Sequence, residues 1–396
     1  MKIPEANWDD LAGQNLAGAV AVYLRGGPDR IPGNLRSHYS SSEKRWKALK
    51  AAGAVGTISL SDPKDMEIPW SRVAESRLLA RMVFSDRSMN ETSGVQFSAT
   101  WNPEKAEELF AGSGHTFASL LDAANHQQPL PHFPLAWSVE AHTVYSQAAL
   151  SSKNVAGIRR GTDPQLSGEF VVLSAHLDHL GVRPGTTGDN IYNGAMDDAA
   201  GVASLIEIAD EFRHKKVQTK RSLLFLAVTA EEKGELGSKY FANRPTVNDK
   251  FVADINMDMY LPLFPLKYLE VQGLSESTLG DDIRAVCERN GVEIQADKEP
   301  NKNRFIRSDQ YSFIKKGVPA LAFKFGYAPG SPEEKTFQNW YRERYHGVKD
   351  DLTQSVDSAA AAQFNDLLVE LTEHVADAPQ APRWKDDSFF RRFAGR

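Results

Sequence analysis

Histidine and carboxylate residues recur in five short segments of the second half of this 396-residue chain. The segments read AHLDHLG, NGAMDDAAG, TAEEKGELGS, DINMDMY and YHGVKDD. Imidazole and carboxylate groups without thiolates suit zinc, cobalt or manganese in a hydrolytic site better than a structural zinc site. The sequence therefore predicts a metal-dependent hydrolytic centre, with these candidate ligands: His176, Asp197, one of Glu231 and Glu232, Asp258 and His346.

The first segment places His176 directly after an apolar run and Asp178 two positions later. On an extended strand these two side chains point to the same side, so Asp178 is expected to accept a hydrogen bond from the second ring nitrogen of His176. His179 has the opposite parity and is not predicted to face the site. A strand-end histidine satisfied by ordinary hydrogen bonds would explain this motif equally well if it stood alone.

The second segment carries the acidic pair Asp197 and Asp198 just before an amphipathic helix. Such a pair can simply cap the helix and offset its dipole, and this role is assigned to Asp198. The small residues around Asp197, such as Gly194 and Gly201, would let the backbone approach a compact site. A carboxylate there can bridge two cations.

The third segment places Glu231 and Glu232 side by side after the strand RSLLFLAVTA. Two carboxylates after a buried strand are costly unless cations compensate them. The pair suggests that one glutamate holds a metal and the other accepts a proton from water. An acidic helix start is the competing interpretation.

The fourth and fifth segments supply the remaining candidates. Asp254, Asn256 and Asp258 follow each other at period two, so they are predicted on one strand face, with Asp258 nearest the strand end. His346 is followed four residues later by Asp350, which is predicted to accept a hydrogen bond from its free ring nitrogen.

The elements around these segments alternate between strands and helices from about residue 135 onward. Apolar strands separated by helices imply a mostly parallel sheet covered on both faces, with reactive groups beyond the carboxyl ends of the strands. One of the helices, AAGVASLIEIADEF, is predicted to bury the following side: Val202, Leu205, Ile206, Ala209 and Phe212.

The amino-terminal part reads differently. The stretches LAGAVAVYL, SSEKRWKALKAAG and GAVGTISL predict a strand, a helix and a second strand. A proline-rich passage, HQQPLPHFPL, makes residues 125 to 135 the expected boundary. The sequence thus predicts one domain over residues 1–130 and a second over residues 131–396.

Composition excludes several classes of function. A net charge of -6 gives no support for nucleic-acid binding, which requires a basic face. No window is apolar enough to span a bilayer, so no membrane partner is predicted. The only cysteine, Cys287, excludes an intrachain disulfide and is predicted to be a buried core thiol.

Taken in order, the motifs SAHLDHLG, GAMDDAAG, TAEEKGELGS, NMDM, RSDQYSF and YHGVKDD resemble those of the di-zinc aminopeptidase family called metallopeptidase family 28. This family of the zinc-dependent exopeptidase superfamily also contains glutamate carboxypeptidases and glutaminyl cyclases. The resemblance covers roughly residues 150 to 375. It implies an α/β fold, with a mostly parallel or mixed central sheet sandwiched by helices, and two zinc ions replaceable by cobalt or manganese.

The resemblance also implies a role for each motif residue. One zinc ion would be bound by His176 and Asp258, the other by Glu232 and His346, and Asp197 would bridge them. Glu231 would be the general base, and Asp178 and Asp350 would be the outer partners of the ligands.

The implied activity is removal of N-terminal residues from a peptide substrate. Members often have a tyrosine where this chain has Phe305, and the segment after it implies these substrate-binding residues: Arg307, Ser308, Asp309 and Tyr311. Tyr311, Arg307 and Tyr345 are the candidates to replace the missing tyrosine. The alternatives are a carboxypeptidase of the same family, in which Arg304, Arg307 or Lys324 would hold a terminal carboxylate, a one-zinc glutaminyl cyclase, and a non-catalytic binding protein.

The first domain resembles the protease-associated domain that many members carry, which predicts a small α+β unit. The resemblance suggests a secreted or periplasmic protein, although no signal peptide is present in this sequence. Oligomeric state is not indicated by any of these patterns.

Overall fold

The computed structural model describes residues 1–185, 187–247 and 250–395. It contains two compact units. The first comprises residues 1–76, 83–150 and 301–303, and the second comprises residues 77–82, 151–300 and the chain from residue 304 on. Residues 131–150 thus fall in the first of these units, and the domain boundary near residue 130 stays a prediction.

The first unit is built on a small parallel sheet, in which β4 (Gly56–Leu60) lies between β3 (Val20–Leu24) and β5 (Phe97–Thr100). The predicted strand, helix and strand correspond to β3, α2 (Ser42–Ala51) and β4, and the helix provides the crossover that parallel neighbours require. The strands of this unit are β1 (Lys2–Ile3), β2 (Trp8–Asp9), β3 (Val20–Leu24), β4 (Gly56–Leu60) and β5 (Phe97–Thr100). The helices are α1 (Gly33–Ser40), α2 (Ser42–Ala51), α3 (Trp70–Glu75), α4 (Ala106–Leu109) and α5 (Phe117–Asn125).

The second unit is built on a larger sheet with helices along it. Its strands are β6 (Val155–Arg159), β7 (Glu169–His176), β8 (Gly181–Val182), β9 (Ile191–Tyr192), β10 (Ser222–Val228), β11 (Lys250–Asn256), β12 (Tyr268–Gln272), β13 (Glu293–Ala296) and β14 (Ala320–Gly326). Its helices are α6 (Ala200–His214), α7 (Leu236–Asn243), α8 (Leu279–Arg289), α9 (Gln310–Ile314), α10 (Pro332–Glu343) and α11 (Ser358–Asp377).

Seven strands form the central sheet in the order β13, β12, β14, β11, β7, β10, β6. The pairs at the centre, β10 with β7, β7 with β11 and β11 with β14, are parallel. The pairs of β6 with β10 and of β12 with β14 are antiparallel. The sheet is therefore mixed, and the carboxyl ends of its central strands meet at one edge.

Both faces of the central strands are buried, as the apolar runs predict. Val171 and Leu173 of β7 pack into the larger core cluster, whereas Phe170 and Val172 pack into a second cluster. Cys287 lies in the larger cluster, and burial raises the pKa of its thiol to about 12. It is a core thiol, as predicted.

The buried side of α6 differs from the prediction. Leu205 and Phe212 are buried as expected, but Ile206 is 64% exposed and Ile208 is fully buried in its place. Ile208 lies about one turn from both Leu205 and Phe212, whereas Ile206 next to Leu205 points elsewhere on the helix. The predicted side was therefore wrong at Ile206.

The carboxyl-terminal tail is docked on the second unit. Trp384, Phe390 and Phe393 are buried in a cluster with Ile306 and Tyr311. No helix among the described residues is long and apolar enough to cross a membrane.

Candidate metal centre

The candidate ligands lie at the carboxyl edge of the central sheet. His176 is the last residue of β7, and Glu232 follows β10 by a few residues. Asp258 lies just beyond β11, so the predicted single strand face holds only Asp254 and Asn256. Because the three strands run parallel, their ends bring these residues to one place.

Asp197 is the centre of the arrangement. Its Oδ1 atom lies 3.1 Å from Nε2 of His176, and that nitrogen lies 3.5 Å from Oδ1 of Asp258. Its Oδ2 atom lies 3.4 Å from Nε2 of His346, and the same nitrogen lies 3.4 Å from Oε2 of Glu232. The two carboxylate oxygens of Asp197 therefore face two different groups of candidate ligands.

Unpaired buried oxygens show that these groups fit metal ions. Among the described residues, Oδ2 of Asp197, Oε1 of Glu232 and Oδ1 of Asp258 are buried without a hydrogen-bond partner. Two atoms that bind one zinc ion tetrahedrally at about 2.0 to 2.2 Å lie roughly 3.3 to 3.6 Å apart. The separations of 3.4 Å around His346 match that spacing.

The protonation of these residues follows from the same contacts. Although burial lowers it, hydrogen bonding to Asp197 and Asp258 raises the pKa of His176 well above its ordinary value. Although burial raises it, contact with His176 and His346 holds the pKa of Asp197 well below its usual range. A proton on His176 thus occupies a nitrogen that a metal would need, so metal binding must release it.

Asp178 and Asp350 have other partners than the sequence predicts. The ring nitrogen Nδ1 of His176 lies 2.9 Å from the backbone carbonyl oxygen of Asp178 and 3.8 Å from its carboxylate. That carboxylate instead accepts hydrogen bonds from the backbone N–H groups of Glu231, at 2.9 Å, and Glu232, at 3.3 Å. Asp178 therefore fixes the glutamate pair.

Asp350 acts on the segment of Asp197 rather than on the ring of His346. Its carboxylate accepts hydrogen bonds from the backbone N–H groups of Met196, at 2.9 Å, and Asp197, at 3.1 Å, and from the side chain of Gln354. The prediction that it accepts from His346 was wrong, since its two oxygens are directed at Asp197's backbone and Gln354.

Asp198 binds a backbone N–H of the first turn of α6, although Ala199 is the N-cap residue, and it also joins two neighbouring segments. Its Oδ1 atom accepts a hydrogen bond from the N–H of Gly201, at 3.1 Å, and of Met259, at 3.3 Å. Its Oδ2 atom accepts from the N–H of His176, at 3.1 Å. A Cβ atom on Gly201 would lie 2.4 Å from this carboxylate, so the contact depends on glycine.

His179 is the site residue that sequence reasoning missed. Its Nδ1 atom lies 2.8 Å from Oε1 of Glu232 and 3.9 Å from Oδ2 of Asp197. The parity argument failed because β7 ends at His176, after which the chain is no longer extended. The sequence offers one signal for it: a second histidine, which is also a possible metal ligand, follows the first by three residues.

Three of the four residues predicted to bind substrate are buried. Ser308 and Asp309 lie beneath the surface, and Tyr311 packs in the cluster of the carboxyl-terminal tail. Arg307 is exposed. The ring of Phe305 contacts that of Phe390, with centroids 5.4 Å apart, so it points into the tail cluster. Substrate roles for this segment stay predictions.

Tyr345 lies closer to the candidate ligands. Its ring centroid is 4.0 Å from that of His346. Of the residues proposed to replace the missing tyrosine, it is the one whose ring contacts a candidate ligand.

The carboxyl group of Asp254, on β11, is buried next to Ser174 of β7. The Ser174 hydroxyl donates a hydrogen bond to Oδ1 of Asp254, at 2.8 Å, while Oδ2 of Asp254 has no partner among the described residues. Burial, opposed by the Ser174 hydrogen bond and reinforced by the charge of Asp309, raises the pKa of Asp254 to about 8. Burial likewise raises the pKa of Asp309 to about 7. Asp254 is therefore neutral in the folded protein near pH 7.

This burial predicts a pH dependence of stability. Because the pKa of Asp254 is about 8 when folded and about 3.9 when unfolded, its contribution is fully present below about pH 4 and is lost as the pH rises through 8. In metal-free protein, Asp254→Asn should become more stable relative to wild type as pH rises, by up to about 1.4 kcal/mol per pH unit. Urea unfolding between pH 5 and 9 measures this, and parallel curves for the two proteins would contradict it.

Comparisons with known proteins identify the family. The profile of Peptidase family M28 matches residues 154–372, more than half of the chain. The chain therefore belongs to peptidase family M28. The match begins after the first unit, so the resemblance of that unit to a protease-associated domain stays a prediction.

The relatives are aminopeptidases. A probable leucine aminopeptidase 2 of Aspergillus oryzae is 26% identical over 270 residues, which cover 65% of this chain and 51% of that protein. Aminopeptidase Y of Saccharomyces cerevisiae is 26% identical over 210 residues, 52% of this chain and 35% of that protein. The chain thus spans about half, or less, of the length of these curated relatives.

A solved structure shows the same fold. The aminopeptidase from Aneurinibacillus sp. strain AM-1 aligns with a TM-score of 0.50 and 19% identity, over 94% of this chain and 73% of that one. The predicted fold class, a mixed α/β sheet flanked by helices, is confirmed.

Proposed function

We propose that this protein is a two-zinc aminopeptidase. The observation that carries the proposal is the position of Asp197, whose two oxygens face separate groups of candidate ligands. His176 and Asp258 would hold one ion, Glu232 and His346 would hold the other, and Asp197 would contact both. Cobalt or manganese, which accept the same ligands, can substitute for zinc.

Two zinc ions supply Lewis-acid polarisation of the scissile carbonyl and activation of water when bound. The chain's own task is to hold the ligands and move a proton. Asp178 fixes the backbone of Glu231 and Glu232. Glu231 can therefore act as the base while the adjacent Glu232 serves as a metal ligand. Asp350 and Asp198 fix the backbone on either side of Asp197.

Glu231 accepts the proton of the attacking water and passes it to the leaving amine. Burial and the charges of Asp309 and Glu232 raise the pKa of Glu231 well above its usual value. Bound cations would offset this repulsion and favour the ionised form of Glu231 that a base requires.

The contacts of the cationic side chains near the site favour an aminopeptidase over a carboxypeptidase. Lys324 is buried and donates a hydrogen bond to the backbone oxygen of Met259 at 3.0 Å. Arg304 forms an ion pair with Glu299 at 2.8 Å. Two of the three cations considered for a terminal carboxylate are thus engaged within the protein. The acidic groups around the metals suit a free α-amine instead.

Blocking the substrate's amino terminus tests this proposal. Aminoacyl chromogenic substrates should be hydrolysed, whereas their N-acetylated counterparts should show no turnover, because amine recognition fixes the scissile bond beside the metals. Metal content is measured on the same sample. Equal turnover of free and acetylated substrates would contradict the proposal, and dependence on a free carboxyl terminus would favour the carboxypeptidase.

A further inference from the structure

His179 has a buried side chain with unused donor atoms. Only 4% of the side chain is exposed, and neither ring nitrogen has a hydrogen-bond partner among the described residues. Buried polar groups in folded proteins are almost always paired, so an unpaired buried imidazole requires an explanation.

The atoms that face this ring are also unpaired. Nδ1 of His179 lies 2.8 Å from Oε1 of Glu232 and 3.9 Å from Oδ2 of Asp197, and both oxygens lack partners. The shorter separation is within hydrogen-bonding distance, but the ring and the carboxylate are not oriented for a hydrogen bond. Three unpaired atoms, one imidazole nitrogen and two carboxylate oxygens, therefore lie close together.

The spacing of these atoms fits a single ion. Atoms that bind one zinc ion at about 2.0 to 2.2 Å can lie at most about 4.4 Å apart. Both separations from His179 fall within that limit, as do the 3.4 Å separations of His346 from Asp197 and Glu232. The rings of His179 and His346 have centroids 5.9 Å apart and stand edge to face.

The backbone of Gly194 holds the His179 ring in place. Gly194 has a φ of +69°, and a Cβ atom there would lie 2.6 Å from Cγ of His179. Glycine thus allows the backbone to pack directly against the imidazole, which limits the positions that the ring can take.

We propose that His179 is a further protein ligand of the metal held by Asp197, Glu232 and His346. This inference rests on the proposed function and deepens it. It gives that metal four protein ligands. The other metal keeps three, namely His176, Asp197 and Asp258, because both oxygens of Asp198 accept backbone hydrogen bonds. Four ligands are typical of a closed site, and three with an open position are typical of a catalytic one.

The two proposed metal sites therefore differ in their number of protein ligands. The residues around Glu232 would hold their ion more tightly, and the three ligands around His176 would leave a position open to substrate and water.

Cobalt binding to His179→Asn tests the assignment. Asparagine keeps a donor nitrogen near the position of Nδ1, but a neutral amide is a poor ligand for a divalent metal. We expect one of the two cobalt equivalents to bind at least about 100-fold more weakly, since even partners of ligands contribute 10 to 100-fold. The matched control is His214→Asn, on an exposed side chain of α6, which should bind both equivalents as wild type does.

A second variant reports on coordination directly. In His179→Cys loaded with cobalt, a thiolate-to-cobalt charge-transfer absorption should appear in the near ultraviolet, because the new side chain binds the ion. Cys287 is buried in the core of both proteins and gives no such band in wild type. If His179→Asn bound both cobalt equivalents with wild-type affinity and His179→Cys showed no band, the inference about His179 would be wrong. The proposed function would still stand. If wild-type protein took up no second equivalent, the proposed function itself would fail.

Discussion

Glu231→Gln should lower peptide turnover by about 100 to 10,000-fold while metal content stays at the wild-type level. Glutamine keeps the size of the side chain but cannot accept the proton of the attacking water. The proposed ligands are untouched, and the backbone N–H of residue 231 can still donate to Asp178. Turnover is measured with an aminoacyl chromogenic substrate, and metal content by elemental analysis of the same preparation.

The neighbouring substitution separates the two duties of the glutamate pair. Glu232→Gln should weaken metal retention, because it removes charge and a donor oxygen from the group around His346. Glu207→Gln, the same chemical change on an exposed face of α6, should alter neither quantity. If Glu231 controlled metal content and Glu232 only turnover, the assignment within the pair would be reversed. If neither affected hydrolysis, both would be acids of a helix start.

Removing the metals should abolish hydrolysis. A strong chelator should lower turnover at least about 100-fold, since metal ions contribute several kcal/mol of transition-state stabilisation. Two equivalents of zinc or cobalt should restore it. Binding should weaken as the pH falls, because contact with Asp197 and Asp258 favours the protonated form of His176, which cannot bind a metal.

Titration of metal-free protein measures the stoichiometry, with activity followed in each sample. Full activity with one tightly held equivalent would contradict the two-metal proposal and favour the one-zinc cyclase alternative. Activity that survives chelation, with no metal detected, would exclude metal-dependent hydrolysis altogether.

The sheet and the place of the candidate ligands were predictable from local patterns. An apolar run ending in His176, and another ending just before Glu231, mark strands that are buried on both faces. Parallel neighbours must end at a common edge, so the residues following them were expected together. The structure brings them together through the pairing of β7 with β10 and β11.

The partners of these residues were not predictable in the same way. Asp178 and Asp350 bind backbone N–H groups of chain segments that are distant in sequence, and no periodicity signals such a donor. His179 was missed for a related reason, since alternation of sides holds only while a strand stays extended. Once β7 ends, the direction of a side chain depends on packing, here against Gly194.

The spread of the candidate ligands along the chain has a consequence for folding. They come from separate segments between residue 176 and residue 346, so the proposed ions would cross-link distant parts of the second unit. An ion that binds the folded chain but not the unfolded one adds stability that grows with its free concentration. Metal supply would thus determine how long the second unit stays intact as well as whether it is active.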